Sequence, residues 1–248
     1  MITLKSPAEI ALMRQAGRIL VAALEDIKKA IAPGVTTKAL DEVAASSIKS
    51  RGGYPAFLGY QGFPANICTS VNDEVVHGIP DERVLQEGDI VSVDLGVVYQ
   101  GYYADAAWTF PVGAVSAEAE RLMSVTEQSL WRGIAQARAG NHLSDISHAI
   151  QEYVEQNGFS VVREYVGHGI GTRMHEEPQV PNFGPPGRGV VLREGMCLAI
   201  EPMVNAGTWE VKQLANGWTV VTKDHRLSAH FEHTIAVTAA GPVVLTSA

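Results

Sequence analysis

The stretches VLQEGDIVSVDL, residues 84–95, and VLREGMCLAIEP, residues 191–202, align without a gap at an offset of 107 residues. Each copy is a Glu-Gly turn followed by a β-rich apolar run that ends in an acid, and the alignment places Asp94 on Glu201. A carboxylate is an unusual end for such a run, because a buried charge needs a partner. The repeat therefore predicts two related halves, each of which delivers one acid to the same place in the fold.

The helical segments repeat in the same order as the strands. The first long helix begins with a capping box, with Ser6 at the N-cap and Glu9 at N3, and a second long helix is predicted from Ser116. Each is followed by a further helical segment and then by β-rich segments. We therefore predict an α+β protein of two pseudo-symmetric helix–helix–strand halves, about residues 1–112 and 113–248, around a central antiparallel sheet.

The composition is that of a soluble globular protein with a sizeable core. The 248 residues are 46% hydrophobic, carry a net charge of -8 and show no basic stripe, so we expect no nucleic-acid partner. The sequence has no apolar run long enough for a membrane span and no signal-peptide pattern at its start. Two cysteines, Cys68 and Cys197, are too few for a disulfide scaffold. We expect one domain over residues 1–248, monomeric and cytoplasmic, without a membrane partner.

The first acid is predicted to have a close acidic neighbour. A two-residue QG turn at 100–101 would pair Asp94 with position 107 in a hairpin. Asp105 would then lie on the same face, diagonal to Asp94. In the second half, SAHFEHTIAV places Glu232 on a predicted strand as the counterpart of Asp105.

Four carboxylates at repeat-related positions indicate one common site rather than four unrelated solvent-facing acids. Clustered carboxylates repel each other, and divalent metal ions neutralise them best. His168 lies between two glycines, His175 follows seven residues later, and His77 has a similar HGI context. A site of imidazole and carboxylates without C-x-x-C spacing is unlike a structural zinc site, and serine-hydrolase and phosphate-loop motifs do not occur. The remaining histidines are interpreted as structural or solvent-facing: His142, His148, His225, His230 and His233.

At this point the sequence resembles a known family. YVGHGIGTRMHEEPQVPNF, residues 165–183, fits the signature of the type I methionine aminopeptidases of peptidase family M24, and the resemblance covers essentially the whole chain. It implies the pita-bread (creatinase/aminopeptidase) fold, which agrees with the duplication. The 33 residues between His168 and Glu201 leave no room for the helical insertion of type II members.

The resemblance implies two divalent metal ions per chain, which the O-rich ligand set leaves open among Co, Mn, Fe and Zn. Asp94 would bind the first ion, Asp105 and Glu232 would bridge both ions, and His168 with Glu201 would complete the second. The implied reaction is removal of the N-terminal methionine from nascent proteins and peptides whose second residue is small. We expect the partners to be N-termini of nascent polypeptides at the ribosome.

The resemblance also implies roles for other residues. Glu201 would accept and carry the proton of the attacking water, His175 would donate to the developing oxyanion, and His77 would bind on the side of the scissile nitrogen. A monovalent-cation site is implied near Asn72 and Ser228. The methionine side chain would be held by aromatic and sulfur groups together with the His77 ring: Tyr60, Phe63, Cys68 and Trp218.

Four residues depart from the family pattern. Met174 replaces a frequent aromatic residue, which suggests a softer wall of the methionine pocket. Ala106 and Ala107 stand where a threonine often supports the bridging aspartate, and His230 replaces a more usual glutamine close to Glu232. None of these changes removes a metal ligand.

Two alternatives remain open at this point. An X-Pro aminopeptidase or prolidase shares the implied fold, but such enzymes usually carry an additional N-terminal domain, whereas the first predicted helix here begins at Ser6. A non-catalytic binding protein of the same fold would be expected to lose metal ligands. Cleavage of Xaa-Pro dipeptides rather than Met-Ala peptides would support the first alternative. The absence of both metal uptake and peptide cleavage would support the second.

Overall fold

The computed structural model describes residues 2–247. Each half opens with a pair of α-helices, and the order helix, helix, strands occurs twice, as the repeat predicts. Within the described residues, none of the helices has the length and apolar character to cross a lipid bilayer. The helices are α1 (Pro7–Ala30), α2 (Thr37–Ser50), α3 (Ala117–Gln136) and α4 (Leu143–Gln156), and a 3₁₀ turn covers Tyr60–Gly62.

The strands divide between the halves. Those of the first half are β1 (Tyr54–Pro55), β2 (Cys68–Val71), β3 (Glu74–Val76), β4 (Ile90–Tyr99) and β5 (Tyr102–Pro111). Those of the second half are β6 (Ser160–Val161), β7 (Gly167–Gly169), β8 (Glu176–Val180), β9 (Cys197–Ile200), β10 (Met203–Asn205), β11 (Val211–Gln213), β12 (Val220–Thr222), β13 (Ser228–His230), β14 (His233–Thr238) and β15 (Gly241–Val244).

The predicted helix starts are confirmed. The Ser6 hydroxyl accepts a hydrogen bond from the Glu9 backbone N–H, and the Glu9 carboxylate accepts one from the Ser6 N–H. Ser116 caps α3 in the same way, by accepting from the Ala119 N–H. The apolar faces of α1 and α2 pack on β4 and β5 in one hydrophobic core, and those of α3 and α4 pack on β9, β10 and β14 in another. Because each half buries its own core, the duplication extends to packing.

The β4–β5 hairpin has the register that the sequence predicts. Asp94 pairs with Ala107 and Gly96 pairs with Asp105, so Asp94 and Asp105 are diagonal neighbours on one face. All pairings in the four sheets are antiparallel, and the largest sheet has the strand order β15-β14-β9-β7-β8.

The second half breaks the two long strands of the first. At the offset of 107 residues, β4 corresponds to β9 followed by β10. As the hairpin partner of β4, β5 corresponds to β13 followed by β14. Glu201 and Pro202 occupy the first break, and Phe231 and Glu232 the second. The prediction that Glu232 lies on a strand is therefore wrong. Pro202 explains the break, because a residue without a backbone N–H cannot continue a ladder of hydrogen bonds.

The halves are joined where β5 runs beside β14. The Thr234 hydroxyl bonds to both the backbone N–H and the C=O of Asp105, at 2.9 and 2.7 Å. The Glu232 backbone N–H donates to the Ala107 carbonyl at 2.8 Å. These bonds join the sheets into a central layer and place acids of both halves at the junction. The division into halves at about residue 112 inside one catalytic domain stays a prediction.

The N-terminal segment ties two parts of the second half together. The Lys5 backbone N–H donates to the Gly195 carbonyl in the turn before β9, at 2.7 Å. Its ammonium group pairs with the Glu176 carboxylate at 2.6 Å, and the two side chains are 3% and 4% exposed. Glu176 follows His175 directly, and its other oxygen accepts from the Arg173 backbone N–H. Lys5 therefore fixes the segment that carries His175.

We expect the Lys5→Met substitution to lower the free energy of unfolding by roughly 3–5 kcal/mol, because it leaves the Glu176 charge buried without its partner. The double substitution Lys5→Met/Glu176→Gln removes both charges and should recover most of that loss. Urea denaturation of the three proteins measures both effects. A single variant within about 1 kcal/mol of the parent would show that the pair is solvated rather than buried.

Candidate functional site

A cavity of about 330 Å³ lies between the two halves. Its wall contains the eleven residues that the sequence analysis assigned to the divalent metal ions, to catalysis or to contacts with the methionine side chain. These residues are Tyr60, Phe63, Cys68, His77, Asp94, Asp105, His168, His175, Glu201, Trp218 and Glu232. The remainder of the wall is formed by Phe57, Gln61, Val76, Tyr165, Val166 and Met203.

Two overlapping groups of acids and histidines form the polar end of the cavity. The ligand atoms of Asp105, His168 and Glu232 lie within 4.8 Å of one another, and so do those of Glu201, His230 and Glu232. Glu232 belongs to both groups. His168 Nε2 is 3.8 Å from Asp105 Oδ2 and 3.6 Å from Glu201 Oε1, so it joins the acids of both halves.

Several polar atoms of this cluster have no hydrogen-bond partner among the described residues. They are Asp94 Oδ1, Asp105 Oδ1, Glu232 Oε1 and His230 Nε2, all buried. Buried polar atoms in folded proteins are nearly always paired, so unpaired ones call for an explanation. Carboxylate oxygens and an imidazole nitrogen converging on one space are the donor set of divalent cations. The cluster therefore fits a metal centre.

Burial and mutual repulsion weaken these acids. Burial, with a further contribution from Glu201, raises the pKa of Asp94 to about 7. Burial first, and then the neighbouring carboxylates, raises the pKa of Asp105 and of Glu232 well above the usual range, and burial alone does so for Glu201. Burial also lowers the pKa of His168 to about 3, so its imidazole is neutral and free to act as a ligand.

The backbone orients His168. Its Nδ1–H donates to the Gly169 carbonyl at 2.9 Å. Nε2, which faces the acids, therefore carries a lone pair that is free to bind a metal ion. A Cβ at Gly167 would lie 2.4 Å from the Ala199 carbonyl oxygen, and one at Gly169 would lie 2.2 Å from that of Glu177. The two glycines thus admit the close approach of the neighbouring strands β9 and β8.

The two further histidines reach the cavity from different loops. His175 precedes β8 and contacts His168, with ring centroids 4.2 Å apart and the ring planes inclined by 53°. It shares a 2.7 Å hydrogen bond through Nδ1 with the Tyr60 hydroxyl. His77 follows β3 with a left-handed φ of 60°, and its ring meets Tyr165 edge-on at 5.6 Å. Burial lowers the pKa of His77 to about 4, so its ring is neutral.

An apolar pocket adjoins the acidic cluster. Phe63 and Trp218 meet edge-to-face at 5.1 Å, and Cys68 packs with them. Cys68 also pairs across the sheet with Asp94, which joins the apolar pocket directly to the acids. Burial, followed by repulsion from Asp94, raises the pKa of the Cys68 thiol well above its usual value, so the group stays uncharged.

The departures from the family pattern have local explanations. Met174 does not itself line the cavity; it is buried against Gly96 and against Phe57, which does, so the softer pocket wall stays a prediction. Ala106 and Ala107 supply no hydroxyl, but Thr234 of the other half bonds to the Asp105 backbone instead.

His230 lies within the acidic cluster, a position that the sequence analysis did not assign to it. It was interpreted as structural, yet its Nε2 lies 3.7 Å from Glu201 Oε2 and it shares a potential ligand group with Glu201 and Glu232. Its position two residues before Glu232 on a β-rich segment was the available signal, because such residues share a face.

Asn72 and Ser228 also come together, through a 2.9 Å hydrogen bond from the Ser228 N–H to the Asn72 carbonyl.

Comparison with known proteins gives a consistent result. The model of metallopeptidase family M24 matches residues 11–239. Methionine aminopeptidase 1 of Bacillus subtilis is 56% identical over 246 residues, which cover 99% of each chain. The methionine aminopeptidase of Clostridium acetobutylicum is 56% identical over 247 residues, again 99% of each chain.

Solved structures extend the similarity to the fold. The crystal structure of a methionine aminopeptidase from Thermotoga maritima matches with a TM-score of 0.99 and 49% identity, covering all of both chains. An Xaa-Pro dipeptidase from Bacillus anthracis matches with a TM-score of 0.79 and 24% identity over 99% of this chain and 62% of its own. At that identity the likeness concerns the fold alone. The pita-bread fold expected from the sequence is confirmed.

We expect the metal-free protein to lose stability as the pH rises from about 7 to about 8. The folded state holds a proton on Asp94, whose pKa is raised to about 7, that the unfolded chain has already released, and the raised pKa values of Asp105, Glu201 and Glu232 act in the same direction, so folding weakens as these protons leave. The buried histidines do not oppose this trend, because above about pH 7 they are neutral in both states. Thermal denaturation in chelator across this range measures the effect.

The control for this prediction is the same titration with Mn²⁺ added. Bound cations favour the ionised carboxylates, so the fall in melting temperature should disappear. A metal-free protein whose stability stays constant or rises between about pH 7 and 8 would contradict the raised pKa values.

Proposed function

The chain belongs to metallopeptidase family M24, and from this premise we propose that it removes the N-terminal methionine from polypeptides whose second residue is small. The observation that carries the proposal is a single cavity in which a cluster of acids and imidazoles adjoins an aromatic pocket. The relatives at 45–56% identity over nearly the full chain carry the name methionine aminopeptidase.

The proposed metal ligands are the five residues that the family pattern assigns. Glu232 belongs to both ligand groups, which supports a bridging role and hence two ions. When bound, divalent ions at this centre would polarise the scissile carbonyl and lower the pKa of water toward ~7. The ligands would be Asp94, Asp105, His168, Glu201 and Glu232. The choice among Co, Mn, Fe and Zn, and a monovalent cation near Asn72 and Ser228, rest on the resemblance.

Glu201 is placed to handle the proton of the attacking water. Its side chain is 14% exposed, more than those of Asp105 and His168, so it reaches the open part of the cavity. Burial raises its pKa, which suits a carboxylate that accepts a proton and passes it to the leaving amine.

The histidines outside the acid cluster are placed to act on the scissile bond. Burial lowers the pKa of His175, so it is a neutral donor rather than a charge that would compete with metal ions. A hydrogen bond from its ring to the oxygen that gains charge would stabilise the transition state. His77, on the opposite side beside Trp218 and Tyr165, would contact the scissile nitrogen.

The apolar pocket supports selection of methionine. An unbranched thioether suits a narrow space lined by aromatic rings and an uncharged thiol, because sulfur–aromatic contacts are favourable. The free α-amine of the substrate would lie at the acidic end of the cavity, which explains a restriction to N-termini. We propose nascent polypeptides at the ribosome as substrates, a cytoplasmic location, and a monomeric enzyme.

The decisive assay compares cleavage of Met-Ala-Ser, Leu-Ala-Ser and Ala-Pro peptides after chelation and readdition of each divalent metal. We expect chelation to abolish cleavage, and metal to restore it for the methionyl peptide with a preference of about tenfold or more over leucine. Restored cleavage of Ala-Pro alone would show that the site catalyses the prolidase reaction instead. No cleavage with any metal would favour a non-catalytic protein.

A ligand variant and a control variant test the assignment of Asp105 as a metal ligand. Asp105→Asn should lower both metal content and activity, because it removes a proposed bridging ligand. Tyr102→Phe removes a remote hydroxyl that bonds to Glu9 and should leave both unchanged. Metal content is measured by elemental analysis of the dialysed proteins, and an Asp105→Asn protein with full metal content and activity would contradict the assignment.

A further inference from the structure

Tyr60 lines the cavity together with the residues assigned to the methionine pocket, but it packs on the side that carries His175. Phe63, Cys68 and Trp218 form one packing cluster, whereas Tyr60 packs with Met174 and Ile170, on the side of the cavity that carries His175. Its ring lies against that of His175 at 5.4 Å with an interplanar angle of 34°. The residue therefore belongs to the surroundings of a proposed catalytic histidine.

The backbone around Tyr60 fixes this position. The Tyr60 N–H donates to the Phe57 carbonyl at 2.9 Å, the Phe63 N–H donates to the Tyr60 carbonyl at 2.9 Å, and the Gly59 N–H donates to the Phe63 carbonyl at 2.8 Å. Gly59 and Gln61 on either side have left-handed φ values of 80° and 49°. A turn closed by three hydrogen bonds presents the Tyr60 ring in one direction.

The hydroxyl of Tyr60 has one partner, Nδ1 of His175, at 2.7 Å. Within residues 2–247 the His175 ring makes no other hydrogen bond, so Nε2 is the ring nitrogen left for a substrate. Two arrangements satisfy the contact. If the hydroxyl donates, Nδ1 is the acceptor and the proton of a neutral imidazole is on Nε2; if Nδ1–H donates, Nε2 has only a lone pair.

We propose that the Tyr60 hydroxyl donates to Nδ1 of His175 and thereby holds the imidazole proton on Nε2, which makes Tyr60 a positioning residue for the oxyanion donor. The inference rests on the proposed function, because only an oxyanion donor needs a hydrogen on Nε2. The hydroxyl changes no charge and forms no bond to the substrate. It selects the ring tautomer and, together with the contact from the His168 ring, restrains the ring orientation.

The kinetic test is Tyr60→Phe in the metal-loaded enzyme. Phenylalanine keeps the ring packing and loses only the hydroxyl, so we expect kcat for Met-Ala-Ser to fall about tenfold while KM stays within about twofold. Tyr102→Phe, which removes a remote hydroxyl, serves as the control with unchanged kcat and KM. An unchanged kcat, or a loss that appears only in KM, would overturn the proposal and return Tyr60 to the pocket wall.

A double-substitution test asks whether Tyr60 acts through His175. Tyr60→Phe introduced into His175→Ala should cause no further loss of kcat, because the group that it positions is already absent. An equal loss in both backgrounds would show that the hydroxyl acts on the substrate directly, and the proposal would be wrong.

A spectroscopic test does not depend on activity. In ¹⁵N-histidine-labelled, Zn²⁺-loaded protein, the ring resonances of His175 are identified by their absence from His175→Ala. We expect protonated Nε2 in the parent and a mixture of tautomers in Tyr60→Phe. Protonated Nδ1 in the parent overturns the proposal even in an active enzyme. An inactive parent with the expected tautomer would instead count against the proposed function.

Discussion

The feature on which the rest of the structure depends is the repulsion among four carboxyl groups at the junction of the two halves. Within residues 2–247, neither lysine nor arginine lines their cavity, and three of the four residues, Asp94, Asp105 and Glu232, leave a buried side-chain oxygen unpaired. Bringing such charges out of water costs several kcal/mol each unless an opposite charge is present. A protein that keeps them there has two states, one with protons on the acids and one with cations between them.

The duplication makes this arrangement tolerable. Each half buries its own core, under α1 and α2 in the first and under α3 and α4 in the second, so folding does not depend on favourable contacts at the site. The junction itself is formed by backbone and threonine hydrogen bonds between β5 and the start of β14. Strong local packing on both sides thus supports a central region whose charges oppose folding.

Short-range patterns in the sequence were sufficient for much of this architecture. The capping box set the start of α1, the QG turn set the register that makes Asp94 and Asp105 neighbours, and the repeat placed Glu201. These features depend on neighbours along the chain or on a gapless repeat. The eleven residues assigned from the pattern and the resemblance line one cavity.

What the sequence could not predict depends on contacts between distant segments. The direction of Met174, buried against Gly96, is decided by a strand 78 residues away in the chain. The bond from Thr234 to Asp105 joins the two halves, and the Tyr60–His175 bond joins a turn of the first half to a loop of the second. The break at Glu232 follows from Pro202 on the partner strand, which a strand considered alone does not reveal.

The same physical account explains why the proposed metal centre and the proposed methionine pocket lie side by side. Cys68 pairs with Asp94 on the neighbouring strand, so a single cross-strand pair joins the apolar wall to the acids. The most direct measurement of the central claim is the number of protons released when Mn²⁺ binds the metal-free protein at about pH 7, obtained by titration calorimetry in buffers of different ionisation enthalpy. The account predicts release of roughly one proton or more per chain, because carboxyls with raised pKa values must ionise to bind cations. Binding without proton release would contradict it.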